Sequence, residues 1–139
     1  MATRFYLPLD EAAAVSPTIS TTDWEHINTV RRRLVTTPDA SVITSVSYIP
    51  DAADDLTDKD AHHRQYVSDP IPAQTISGNI TAQILTSQIS LANNLSMTFK
   101  VYVVSTDGTS VTGTLLAITR DGTEPNTSNR NLTFTSTAL

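Results

Sequence analysis

A two-residue rhythm of apolar and polar side chains constrains this chain more than any other feature. Across residues 75–85, Ile76, Gly78, Ile80, Ala82 and Ile84 fall on one side, and Thr75, Ser77, Asn79, Thr81 and Gln83 on the other. Successive side chains of a strand point to opposite faces, so the pattern predicts a strand buried on one face only; a helix would need a period of 3.6. Gly78 within it predicts a bulge or the close packing of a neighbour. The rhythm returns in residues 95–104, with Met97, Phe99, Val101 and Val103 inward, and again in residues 110–118. Asp107-Gly108 lies between those two runs. It predicts a hairpin with a type I′ turn, which needs positive φ at both central residues.

The rest of the chain carries shorter strand signals. Residues 29–37 read as a strand ended by Pro38, with Val30, Arg32 and Leu34 on one face and Arg31, Arg33 and Val35 on the other. Residues 41–49 form a second run, with Val42, Thr44, Val46 and Tyr48 sharing a face and Pro50 as its stop. Residues 51–63 are the most polar segment and predict a surface loop. Gln65-Tyr66-Val67 opens another strand, Pro70 and Pro72 predict an edge or an extended crossing, and residues 131–135 form a last short strand. Composition points the same way. With 23 Thr and 14 Ser against 2 Lys and 3 Glu, the chain favours a pleated sheet over helices. About seven short strands predict an all-β fold, an antiparallel β-sandwich of jelly-roll type over residues 24–139.

Residues 1–23 read as an extended N-terminal arm. Glu11-Ala12-Ala13-Ala14-Val15 has the composition of a helical turn, but Pro17 denies it length. Phe5 and Tyr6 are costly to leave in water. Either they pack back on their own domain, or the arm docks on another subunit with Arg4, Phe5, Tyr6 and Leu7 as its anchors. Trp24, the only tryptophan, is read as a core or rim anchor for the first strand.

Chemistry is sparse. The chain has no cysteine, which excludes disulfides, thiolate metal sites and cysteine nucleophiles. Asp54, Asp55, Asp58 and Asp60 offer oxygen ligands but lack the spacing of a calcium loop, and the adjacent His62 and His63 are poorly placed to share one ion. Ser47, Asp23 and His26 can be named as a hydrolase trio, but with 14 serines any such choice is arbitrary. There is no phosphate-binding glycine loop and no Gly-x-Ser-x-Gly elbow. We therefore expect a non-enzymatic protein with no catalytic residues, no metal site and no cofactor. A net charge of -5 argues against nucleic-acid binding. Arg31-Arg32-Arg33 is instead read as a solvated face, as an ion-pair partner of the acidic loop, or as a contact for an acidic neighbour. No apolar run approaches the ~18 residues of a membrane span, and the N-terminus has no apolar signal-peptide core.

Several blocks together resemble a poorly characterised group of tailed-bacteriophage virion proteins. They are the opening Arg4-Phe5-Tyr6-Leu7-Pro8, Arg31-Arg32-Arg33-Leu34-Val35, the run from Arg64-Gln65-Tyr66-Val67 through Gly78, and Asp107-Gly108 through Leu116. The resemblance implies a structural role in the virion, at the neck, tail or fibre attachment region or on the head surface. It also implies contacts with other virion proteins and copies of the same chain, as a homo-oligomer. Members of the group continue beyond the position of Leu139, so the sandwich domain is expected to extend further. The alternative is a carbohydrate- or receptor-binding jelly-roll module of a phage appendage. Its aromatic platforms would have to come from Trp24, Tyr48 and Tyr66, which the pattern places in strands.

Overall fold

The computed structural model describes residues 3–8, 12–15, 26–38, 61–90, 95–121, 123 and 125–137. The predicted strand over residues 41–49, Trp24 and the acidic residues 51–60 lie outside the described residues. Six strands form: β1 (His26–Leu34), β2 (Ala61–Ser68), β3 (Thr81–Thr86), β4 (Thr98–Val104), β5 (Val111–Arg120) and β6 (Arg130–Thr135). The described residues contain no helix, and the fold is all-β. The strands pair as three two-stranded ladders, β1–β2, β3–β6 and β4–β5. No described sheet is wide enough for a jelly-roll strand order to be read from it. The chain divides into two compact units, residues 1–72 with 105–110, and residues 73–104 with 111–139.

In the second unit the alternation does what it predicts. β3 and β6 pair antiparallel without a slip, setting Ala82 opposite Phe134 and Ile84 opposite Leu132 on the covered face. The other face pairs Thr81 with Thr135 and Gln83 with Thr133. Leu132 and Phe134 are fully buried, and Leu116 of β5 joins them. Ala82, Met97, Phe99 and Val101 pack against this cluster. The Phe99 ring of β4 stacks on Phe134 at 5.5 Å between centroids and 23° between planes. Both antiparallel ladders thus turn apolar faces onto one small core. Burying a side chain such as Phe134 contributes about 2–3 kcal/mol of apolar transfer.

The predicted strand over residues 75–85 is shorter than its alternation. The strand covers residues 81–86, with Ile80 extending the contact through Ser136, whose N–H donates to the Ile80 carbonyl at 2.9 Å; Ile76 and Ile80 are half-buried and Thr75, Ser77 and Asn79 exposed. Gly78 is the reason for the shortening. It takes φ of +88°, a left-handed conformation outside the extended backbone of a regular ladder, and a Cβ there would meet nothing within 4 Å. The glycine answers to a backbone kink; the expected close packing is absent.

The β4–β5 hairpin forms, but its turn differs from the expected two-residue type. Ser105 and Ser110 close a four-residue loop, the Ser105 N–H donating to the Ser110 carbonyl at 2.8 Å. The Gly108 N–H donates to the Ser105 carbonyl at 2.8 Å, and Gly108 has φ of +73°. Polar side chains explain the longer turn: Ser105 and Asp107 capture loop amides, which a tight I′ turn would leave no room for. β5 also slips three times against β4, so that the consecutive Leu115 and Leu116 are both covered.

β1 and β2 pair parallel, where an antiparallel sheet was expected throughout. Residues 35–60 connect them, ample for the crossover a parallel pair requires. β2 begins at Ala61, so His62 and His63 belong to a strand and not to the acidic loop.

Candidate interaction surface

The N-terminal arm lies along β1. The Tyr6 N–H donates to the Val35 carbonyl at 2.7 Å, and the Val35 N–H donates back to the Tyr6 carbonyl at 3.2 Å. This exchange is the hydrogen-bonded pair of an antiparallel ladder. A second antiparallel bridge joins Ala12 to Arg32. Between the two bridges the arm advances six residues and β1 three. Ala13 and Val15 are half-buried and Ala12 and Ala14 exposed, a strand-like alternation where a helical turn was the alternative. Pro8 cannot donate a hydrogen bond, which limits how far regular pairing extends past Tyr6.

Of the four anchor residues, Tyr6 and Leu7 are half-buried, while Arg4 and Phe5 are exposed. Phe5 keeps 40% of its surface in water. Thr3 and Phe5 share one side of the extended arm, and with Pro8 they line a groove of about 580 Å³. Its other walls are residues 33–38, where β1 ends, and residues 68–71, where β2 ends. Ile71, 49% exposed, is the counterpart of Phe5 on the far wall. The pattern of the sequence marked Phe5 but not the groove, which exists only because a parallel pair brings the ends of β1 and β2 together.

Arg33 and Asp69 join these two walls. Arg33 donates from Nε to Asp69 Oδ1 at 3.1 Å and from Nη2 to Oδ2 at 2.5 Å. The hydrogen bond from Arg33 holds the Asp69 carboxyl below the usual aspartate range, with the nearby positive charge adding to it. The arginine run finds an acidic partner in Asp69, and the acidic residues 51–60 lie outside the described residues. In the parallel register Arg33 is level with Val67, which leaves Asp69 two residues on, diagonally across the strands.

Among the described residues of the second unit, the large exposed apolar side chains are Leu85, on the outer face of β3, Val111 at the start of β5, and Ile89, 96% exposed. Beside Ile89, Gln88 is buried and neither atom of its side-chain amide has a hydrogen-bond partner. Its backbone N–H donates to the Asn126 carbonyl at 2.9 Å.

No group of three or more His, Cys, Asp or Glu side chains converges on a common point among the described residues. Of the nominal hydrolase trio, Asp23 and Ser47 lie outside the described residues and His26 begins β1. Among the aromatics named for sugar stacking, Tyr66 is a half-buried residue of β2. No described helix is long and apolar enough to cross a membrane. No protein family, curated protein or solved structure matches this chain.

Proposed function

We propose that this chain is a non-enzymatic structural subunit of a tailed-bacteriophage particle. In this reading it sits at the neck, tail or fibre attachment region or on the head surface, and assembles through its N-terminal arm and strand edges. The observation that carries the reading is the main-chain exchange between Tyr6 and Val35. An arm added by backbone hydrogen bonds to a strand edge is a mode of attachment that protein assemblies reuse between subunits. The exposed Phe5, Leu85 and Ile89 fit burial against neighbouring proteins better than a life in water. The four sequence blocks that resemble virion proteins include the arm and the Arg33 strand. Its partners would be other virion proteins and copies of itself.

The test is quantitative mass spectrometry of gradient-purified particles, with and without deletion of residues 2–8. The subunit reading expects a fixed copy number per particle and loss of incorporation on deletion, with the deleted chain still folded. Absence of the full chain from particles would overturn it.

The groove beside Phe5 favours one second reading, a receptor- or glycan-binding module, because an exposed aromatic ring there stands among Thr3, Thr36, Thr37 and Ser68. Sugars stack on such rings and hydrogen-bond to such hydroxyls. Glycan-array binding that Phe5→Ala removes would support it; an array with no signal would discard it.

A further inference from the structure

We infer that the face of the β1–β2 ladder bearing Arg64 is a binding site for a small oxyanion, a carboxylate or phosphate group taken from solution. The inference stands on charge and burial within the first unit and is independent of the assembly reading above.

The parallel register sets the residues of the site. Arg64 is level with Val30 and Tyr66 with Arg32, with no slip between the two pairs. Paired residues of a ladder share a face, and the face alternates along each strand. Arg32, Arg64 and Tyr66 therefore lie on one face, and Arg33 and Val67 on the other. All three residues of the first face are half-buried.

Arg64 is the anomaly. Its Nε and Nη1 are shielded from water, and neither has a hydrogen-bond partner. Those two nitrogens carry three of the five N–H donors of a guanidinium. A buried lysine or histidine escapes such a position by giving up its proton. Arginine does not, so its charge stays and must be answered. Holding a desolvated charge without a counter-charge is costly to a fold. The half-buried Arg32 on the same face adds positive charge to the site.

The described carboxylates of this unit are engaged elsewhere. Asp69 and Asp107 are the acidic side chains among its described residues. Asp69 is held by Arg33, which belongs to the opposite face. Asp107 accepts from the hydroxyls of Ser105 and Thr109. What Arg64 lacks is a negatively charged acceptor. Oxyanions fill that role best, because their hydrogen bonds to a guanidinium are charge-assisted on both sides. Arg64 as a whole is half-buried, so the site lies close to solvent.

The test follows the Arg64 Nε–H signal in nitrogen–proton NMR spectra of the full chain, assigned by its loss in Arg64→Lys. Inorganic phosphate or acetate is added against chloride at constant ionic strength. A saturable shift of this signal with either ion, without one at Arg33, is the expected result, and the two titrations tell phosphate from carboxylate. Arg64→Met supplies a second readout. Relieved of a buried charge, it should have a higher urea midpoint than the parent in chloride alone, and the parent should gain on it as the oxyanion is added. An Arg64 signal indifferent to both ions overturns the site. So does an Arg64→Met chain less stable than the parent in chloride alone, because the guanidinium would then already be satisfied. Replacing Asp51, Asp54, Asp55, Asp58 and Asp60 together by Asn tests the chain's own carboxylates. If that change alone moves the Arg64 signal, with no ion added, the counter-charge is internal and a ligand from solution is overturned.

Discussion

Arg33 holds Asp69 with both arms of its guanidinium, across 36 positions of sequence, and so ties the end of β1 to the residue that follows β2. Both side chains are exposed, so solvent screens the pair and its effect on stability is small. Asp69→Asn is expected to lower the melting temperature slightly at low salt and by less at about 1 M salt, where the screening length falls to about 3 Å. Because the folded carboxyl titrates below its ordinary value of 3.8, the stabilisation is present above that value and is lost as pH falls below it. A penalty of equal size at low and high salt would assign the pair's effect to packing and not to charge.

Asp107 organises the β4–β5 loop. Its carboxylate accepts hydrogen bonds from the Ser105 hydroxyl at 2.6 Å, the Thr109 amide at 3.1 Å and the Thr109 hydroxyl at 2.8 Å. Those bonds, the Ser105 hydroxyl first, pull its pKa from 3.8 to about 2. The charged form is the one the folded loop holds, so its contribution is complete above pH 3.8 and disappears as pH falls through about 2. Carboxyl-carbon NMR should find this group titrating near 2, and Ser105→Ala should move it upward. An unshifted titration in the parent chain would contradict the loop geometry.

Phe134 carries the centre of the second unit's core, buried to 2% and stacked on Phe99. Phe134→Ala should cost about 3–5 kcal/mol, read as a lower urea midpoint with an unchanged slope. Ile89→Ser, at a side chain 96% in water, should stay within about 0.5 kcal/mol. Comparable losses from the two would place Ile89 against a surface the isolated chain does not expose.

Gly78 separates steric from conformational demand. A Cβ would have open space there, yet φ of +88° is one that side-chain-bearing residues rarely adopt. Gly78→Ala is expected to destabilise by about 1–2 kcal/mol, and Gly78→Asn by less, because asparagine tolerates left-handed backbone. Equal effects, measured by chemical denaturation, would point to packing.

Much of the second unit was legible because a period of two specifies which face of a strand is buried. Ile80, Ala82 and Ile84, then Met97, Phe99 and Val101, turn inward as their spacing demands. Asp107-Gly108 marked a chain reversal for a similar reason, since few other residues suit its backbone. The turn's length was less legible. It depends on how Ser105 and Asp107 compete for loop amides, a matter of three-dimensional hydrogen bonding.

Alternation by itself determined the all-β class, the extended arm and the inward residues, because facing is a local property of the strand. Only the tertiary structure decided the partners. Nothing local tells β1 to accept β2 in parallel, Arg33 to find Asp69, or Tyr6 to meet Val35. Each of those pairings is set by the register between segments distant in sequence, and backbone hydrogen bonds, alike at every residue, leave no mark of it in the side chains. The groove at Phe5 follows from that register.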